Sequence, residues 1–252
     1  MAQMLKARMR AGENLVGCFI MLPSPALVEM AGYAGFDFVI LDTEHGAATS
    51  ETLEHQLRAA DASGISALVR TSSMNPGEIL RVLDAGATGI VVPHVRTPAD
   101  AEAIASAAHY PPYGCRGIAT TSRAGRHGFI SVAEHLSRAH DSTIVLPQIE
   151  DADALPYVSA IAGTAGVDGI FIGPADLSIS LGHPGNHSDP QVLAAIEKAA
   201  QEACAAGSIV STFASSSNEA NAFFRRGIKM VMFSTTSLFT ATLRDTVSGL
   251  LK

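Results

Sequence analysis

Two acidic side chains in this sequence are placed to start metal-based chemistry. Glu150 follows the apolar run Thr143–Ile149, in Gln148-Ile-Glu150-Asp. Asp176 follows Gly169–Ile172, in Gly173-Pro-Ala-Asp176. Two hard carboxylate oxygens, with waters and substrate oxygens filling the remaining positions, suit an octahedral Mg2+ or Mn2+, with Co2+ or Zn2+ as further occupants. Taken singly, each acid is equally a helix cap or a surface residue. Their places after successive strand-like runs favour the ligand reading.

Other reactive types stand nearby. His45 closes Asp42-Thr-Glu-His45, and an imidazole is the side chain best suited to moving protons near neutrality. Asp42 could orient its ring, although the spacing alone fits an exposed loop histidine as well. Arg70 ends the apolar run Ala67-Leu-Val-Arg70. A buried guanidinium needs an anion, which here is a ligand carboxylate or enolate, or else Asp42 or Asp84. Asp84, just before Ala85-Gly86, fits a plain surface acid almost as well. The Gly173-Pro-Ala-Asp176 turn can present backbone N–H groups to a small carboxylate. A Schiff-base route needs a lysine at the same place. The four lysines are Lys6, Lys198, Lys229 and Lys252. Two are terminal, one lies on a helix and one opens a strand, so none is expected there.

A framework must bring these residues together. Short apolar runs alternate with Ala-rich helical patterns. The expected strands are Leu15–Met21, Phe36–Leu41, Ser66–Arg70, Gly89–Pro93, Thr143–Ile149, Gly169–Ile172, Ser208–Phe213 and Lys229–Phe233. Most are continuously apolar, as in a parallel sheet covered on both faces. The first helix is marked by Ser24, Pro25 and Gly35. Others are expected near Ser50–Ala62, Pro76–Ala85, Pro98–Ala108, Ala152–Ala162, Pro190–Ala206, Ser217–Arg226 and Thr235–Leu250. Eight right-handed βαβ units close most economically into a single (β/α)8 TIM barrel spanning residues 1–252. An open doubly wound sheet is the alternative, but the first turn, Leu22-Pro-Ser-Pro, cannot cradle a diphosphate. In a barrel the strand C-termini share one mouth, and there the acids, His45, Arg70 and Gln148 meet. The connection 109–130 is long and rich in Gly and Arg. Its Arg116, Arg123 and Arg126 either close over the mouth, serve a subunit contact or form a solvated face.

The bulk properties agree. The chain has 252 residues, 47% of them hydrophobic, and a net charge of −7. It shows no basic patch for nucleic acid and no apolar stretch of membrane-spanning length. Cys18, Cys115 and Cys204 lack metal-type spacing. Cys18 and Cys204 read as buried small hydrophobes. A cytoplasmic protein is expected.

Four segments carry a more specific signal. They are Ala34-Gly-Phe-Asp-Phe-Val-Ile-Leu-Asp-Thr-Glu-His, Tyr110-Pro-Pro-Tyr-Gly-Cys-Arg-Gly, Gln148-Ile-Glu and Val167-Asp-Gly-Ile-Phe-Ile-Gly-Pro-Ala-Asp-Leu-Ser. Through them nearly the whole chain resembles the HpcH/HpaI aldolases, class II pyruvate aldolases of 4-hydroxy-2-oxo acids. The resemblance implies that Glu150 and Asp176 bind a divalent metal, that His45 supported by Asp42 handles protons, and that Arg70 contacts the keto or enolate oxygen. It implies that Gln148 and the backbone at Gly173, Ala175 and Asp176 face the pyruvate end, that Asp84 has a supporting role, and that the chain forms a homohexamer built from dimers. The expected reaction is reversible cleavage of a 4-hydroxy-2-oxo acid to pyruvate, or a related 2-oxo acid, and an aldehyde, with oxaloacetate decarboxylation as a side activity. The segments Thr120–Gly128 and Leu181–Gly185 are less typical, which leaves the aldehyde open. A lyase for acyl-CoA substrates and a metabolite-binding barrel without activity are the rival readings.

Overall fold

The computed structural model describes residues 4–250. In chain order the elements are α1 (Leu5–Arg10), β1 (Leu15–Ile20), α2 (Pro25–Ala34), β2 (Phe38–Asp42), α3 (Ser50–Ser63), β3 (Ser66–Arg70), α4 (Pro76–Asp84), β4 (Gly89–Val92) and α5 (Pro98–Ala108). They continue through α6 (Val132–Ser142), β5 (Ile144–Ile149), α7 (Val158–Ala162), β6 (Gly169–Ile172), α8 (Pro174–Ser180), α9 (Pro190–Ala205), β7 (Ile209–Phe213), α10 (Ser217–Arg225), β8 (Met230–Ser234) and α11 (Thr235–Ser248). The eight strands form a closed barrel in sequence order. Every neighbouring pair is parallel, and β8 returns to β1. The expected (β/α)8 barrel is therefore the observed fold.

Two cores divide the apolar residues by strand alternation. One face of each strand points into the barrel, where Phe19, Phe38, Ile40, Leu68, Val91, Leu146, Phe171, Met230 and Met232 pack. The other face meets the surrounding helices, through residues such as Val39, Leu41, Val69, Ile90, Val145 and Ile170. A period of two fixes what happens next. Continuing inward from Phe38 and Ile40 gives Asp42, from Leu68 gives Arg70, from Leu146 gives Gln148 and then Glu150, and from Phe171 gives Gly173. The residues with chemical potential are thus the top layer of the interior.

Several expectations need correction. β2 begins two residues later than the apolar run suggests. Asp37 lies before it and takes the Val16 N–H at 2.8 Å and the Arg8 guanidinium at 2.8 Å. Three helices were not expected. α1 has only one apolar turn, α6 carries mostly polar residues, and α8 hides in a Gly-Pro turn. The segment expected as one helix over Ala152–Ala162 is a 3-10 turn through Tyr157 followed by α7, because Pro156 lacks the N–H an α-helix needs. Lys6 is not a loose terminal residue. Leu5 and Met9 of α1 join the interior core, and Lys6 is buried at the barrel floor, 2.8 Å from Asp168. Lys252 lies outside the described residues. Cys18 is buried, and burial pushes its thiol up to about 12. Cys204 is exposed instead: the buried stripe of α9 runs through Val192, Ile196, Ala199, Ala200 and Ala203, and Cys204 turns past it. No helix among the described residues is long and apolar enough to cross a membrane.

Candidate active site

Asp42 and Arg70 are register partners on adjacent strands. Both point inward at the same height, so their pairing follows from the sheet. Arg70 Nε donates to Asp42 Oδ1 at 2.8 Å and Nη2 to Oδ2 at 2.7 Å. This bidentate fork fixes the guanidinium plane. The Arg70 guanidinium also lies 4.7 Å above the Phe19 ring centroid. Its third nitrogen, Nη1, approaches Glu44 Oε2 to 3.0 Å without hydrogen-bond alignment. Of the anions weighed from sequence, Asp42 is the one the buried arginine meets.

Glu150 is 2% exposed. Its Oε1 accepts the His94 backbone N–H at 2.8 Å, and its Oε2 accepts from Gln148 Nε2. Burial and the neighbouring charges of Asp176 and Glu44 raise its pKa, against the lowering effect of His94. Asp176 enters from the first turn of α8. Gly173 leaves space beside Glu150 and Gln148 rather than serving backbone freedom. A Cβ there would lie 3.0 Å from Gln148 Nε2, 3.0 Å from Glu150 Oε2 and 3.1 Å from Glu150 Cβ.

Two residues not singled out from sequence belong to this site. Glu44 brings its carboxylate beside Arg70 and within 3.8 Å of His94 Nε2. His94 has φ 55, an uncommon conformation for a side chain with a Cβ. That turn aims its N–H at Glu150 and sets its ring against Asp151 at 3.1 Å. Burial opposes charging of the imidazole, but Asp151, Glu150 and Glu44 outweigh it and raise its pKa. Glu44 could have been noticed from alternation, since it lies two residues beyond inward-facing Asp42. The backbone turn at His94 leaves no such pattern.

The remaining candidates are placed differently. The His45 ring is 58% exposed, with Nε2 3.9 Å from Glu44 Oε2. Asp42 does not orient that ring. Its oxygens are taken by Arg70, and Oδ1 also accepts the backbone N–H groups of Glu44 at 3.1 Å and His45 at 3.4 Å. Asp84 lies at the C-terminal end of α4 and so at the floor of the barrel, away from the mouth. Its carboxylate takes Arg116 Nη2 at 2.7 Å, and Arg116 stacks 4.6 Å over the Tyr110 ring. Arg123 donates to the Ala85 carbonyl and pairs with Asp61. The loop 109–130 is therefore tied to the barrel floor, and neither Arg116 nor Arg123 covers the mouth of its own chain. Arg126 is exposed in a left-handed turn.

The donor set fits a divalent cation. Asp42, Glu44, Glu150, Asp151 and Asp176 gather against two guanidiniums, Arg70 and Arg96, so the mouth carries an excess of negative charge. Glu150 is buried without a full countercharge. Glu44 Oε2 and Gln148 Oε1 are buried without hydrogen-bond partners. No group of three or more His, Cys, Asp or Glu side chains is arranged as metal ligands among the described residues. Two carboxylates that leave most coordination positions open suit a magnesium-like ion better than zinc.

A sequence profile, described as HpcH/HpaI aldolase/citrate lyase, matches residues 15–240. The chain belongs to the HpcH/HpaI aldolase/citrate lyase family. It is accordingly a carbon–carbon lyase. A relative from Pseudomonas aeruginosa, a hydroxypyruvate/pyruvate aldolase, is 37% identical over 95% of this chain and 90% of its own length. A pyruvate aldolase from Rhizobium etli is 42% identical over 77% of this chain and 76% of its own. An HpcH/HpaI aldolase/citrate lyase family protein from Burkholderia cenocepacia superimposes with a TM-score of 0.91 at 32% identity, covering 97% of both chains. The family match thus spans all eight strands that deliver the mouth residues.

Proposed function

We propose that the protein is a divalent-metal-dependent aldolase that reversibly cleaves 4-hydroxy-2-oxo acids to pyruvate, or a related 2-oxo acid, and an aldehyde. The observation that carries this reading is the buried Glu150, whose carboxyl feels the negative charge of Asp176, in the same inward layer as an arginine pinned by Asp42. The aldolase names of the relatives support the same class. Glu150 and Asp176 would hold the cation, Mg2+ or Mn2+, with Co2+ or Zn2+ as substitutes. When bound, it supplies Lewis-acid polarisation of the keto oxygen and positive charge for the enolate.

The chain's own residues do the rest. Gln148 and the backbone at Gly173, Ala175 and Asp176 hold the 2-oxo acid. Arg70, held rigid by Asp42, directs Nη1 at the keto oxygen, where negative charge develops. The C4 hydroxyl loses its proton to a base at the mouth, and exposed His45 is the side chain free to take it and pass it to solvent. The C3–C4 electrons move into the C2–C3 bond, the aldehyde departs, and a proton returns to C3. Oxaloacetate can lose CO2 through the same enolate.

We also propose a cytoplasmic homohexamer built from dimers. α11 supports self-association, because Leu238, Phe239, Leu243 and Val247 are all exposed along it. Light scattering after size exclusion should report six copies. A monomer would refute this part. The catalytic reading is tested by pyruvate release from a 4-hydroxy-2-oxo acid. Activity should disappear with EDTA and return with Mg2+ or Mn2+. Cleavage that persists after exhaustive chelation would overturn it.

A further inference from the structure

At the floor of the barrel, opposite the mouth, the start of the 109–130 loop and the helix α6 border a cavity of about 290 Å³. Its walls are mostly apolar and flat, with Pro111, Pro112, Tyr113, Leu136 and Ala139 among them. Tyr113 and His140, both exposed, stack 4.2 Å apart at its edge. The Tyr110 hydroxyl is spent on His135 Nε2 at 2.9 Å. No mouth residue reaches this space.

Two buried polar side chains in the walls have unused groups. His109 is 6% exposed, and its Nε2 meets the Gly166 carbonyl at 3.1 Å. A carbonyl only accepts, so Nε2 carries the hydrogen and the neutral ring leaves Nδ1 as a bare acceptor. Burial lowers the pKa of this ring and keeps it neutral at pH 7. The Cδ2–Nε2 edge faces Gly166, and Nδ1 on the other edge makes no hydrogen bond among the described residues. Thr143 is 5% exposed. Its carbonyl takes Lys6 Nζ, but its hydroxyl has no partner among the described residues. Neither atom is sealed in protein, as the orphan Gln56 Oε1 is, and both residues line the cavity. Buried polar groups left unpaired by the protein usually await a water or a ligand.

The occupant must suit both groups and the walls. A carboxylate has no hydrogen for Nδ1. A cation finds no free anion, since Asp168 is paired with Lys6 at 2.8 Å, and burying an unpaired charge is costly. A hydrocarbon leaves both polar groups unpaired. A neutral hydroxyl donates to one and accepts from the other, and an aromatic ring matches the proline and tyrosine faces. The volume is about twice that of a cavity of roughly 150 Å³ that takes benzene, so it admits one substituted ring. We propose that this cavity is a second ligand site for a small neutral phenol, whose hydroxyl donates to His109 Nδ1 and accepts from Thr143 Oγ1. The site is independent of the aldolase reading.

Calorimetric titration of the full chain with phenol, toluene and benzoate tests it. Phenol should bind once per chain. Toluene, the same ring without the hydroxyl, should bind about 2- to 12-fold more weakly, the scale of one neutral hydrogen bond. Benzoate should not compete with phenol. Thr143→Val keeps the shape of the wall and removes its hydroxyl, so the phenol-to-toluene ratio should fall, and adding His109→Phe should bring it close to one. Ala139→Leu should fill the cavity and abolish phenol binding. If that variant fails to fold, the Thr143→Val ratio still decides, because it is taken within one protein. Crystals soaked with 4-iodophenol should show the iodine in the cavity by anomalous scattering. Equal affinity for phenol and toluene, an unchanged ratio in Thr143→Val, or iodine found only elsewhere would overturn the proposal. So would the absence of any phenol binding, which would leave the two groups to water.

Discussion

Replacing Gly173 by alanine would press a methyl group into the cradle of the carboxylate pair. The backbone at Gly173 has φ −92, which alanine adopts freely, so the effect is purely steric. The new Cβ would stand 3.0 Å from both Gln148 Nε2 and Glu150 Oε2, where ordinary contact begins at 3.4 Å. Those groups must retreat by about 0.4 Å. Glu150 is held by the His94 N–H on one oxygen and by Gln148 on the other, and the site is closed around it. Overpacking of this kind costs about 1–3 kcal/mol. Expressed at the site, that is a loss of about 5- to 150-fold in cation affinity. Titrating Mn2+ into the metal-free variant, with free Mn2+ read by paramagnetic resonance, measures it directly. A thermal melt run in parallel shows how much of the cost is spread over the whole fold. Mn2+ affinity within twofold of wild type, with an unchanged melt, would show that Glu150 and Gly173 do not form one rigid cradle.

Three further outcomes are expected. Arg70→Ala should reduce turnover by about 100- to 1000-fold, the cost of one charge-stabilising donor, and should also lower stability, since it strands fully buried Asp42; steady-state kinetics with near-wild-type turnover would contradict its role. Lys6→Ala should lower stability by about 3 kcal/mol by leaving Asp168 unpaired at the barrel floor, a fall in Tm of about 6–12 °C for a domain of this size, read by calorimetry. His109 and His135 have pKa values lowered mainly by burial. At these two sites the unfolded chain therefore binds more protons than the native one as pH falls through the ordinary histidine value of 6.5, and their share of stability should be lost through and below that point and be fully present above it; because His94, with its raised pKa, acts in the opposite direction, the sign is checked by comparing Tm from pH 8 to pH 5 for wild type and for His109→Gln and His135→Gln.

The barrel was legible because its strands are written as uninterrupted apolar runs, and the mouth because polar residues end those runs. Alternation alone delivers Asp42, Arg70, Gln148 and Glu150 to one layer. What the sequence hid depends on contacts between distant segments. Asp42 and His45 are three residues apart, yet the carboxylate turns to Arg70 because β3 lies alongside in register. Asp84 was weighed as a partner for Arg70, but a helix that follows a strand carries its last residue back to the floor, where Asp84 meets Arg116 instead. Lys6 appeared terminal because nothing local announces that one apolar turn will cap the barrel. His94 was invisible because its function lies in a backbone angle.

The floor sealed by Leu5, Met9 and the Lys6–Asp168 pair has a consequence for traffic. With one doorway, molecules leave in the reverse order of their depth. The 2-oxo acid fragment would sit innermost against Arg70 and Gln148, so the aldehyde must depart before it. Added pyruvate would then compete with the substrate for the vacant enzyme, while added aldehyde would show mixed inhibition.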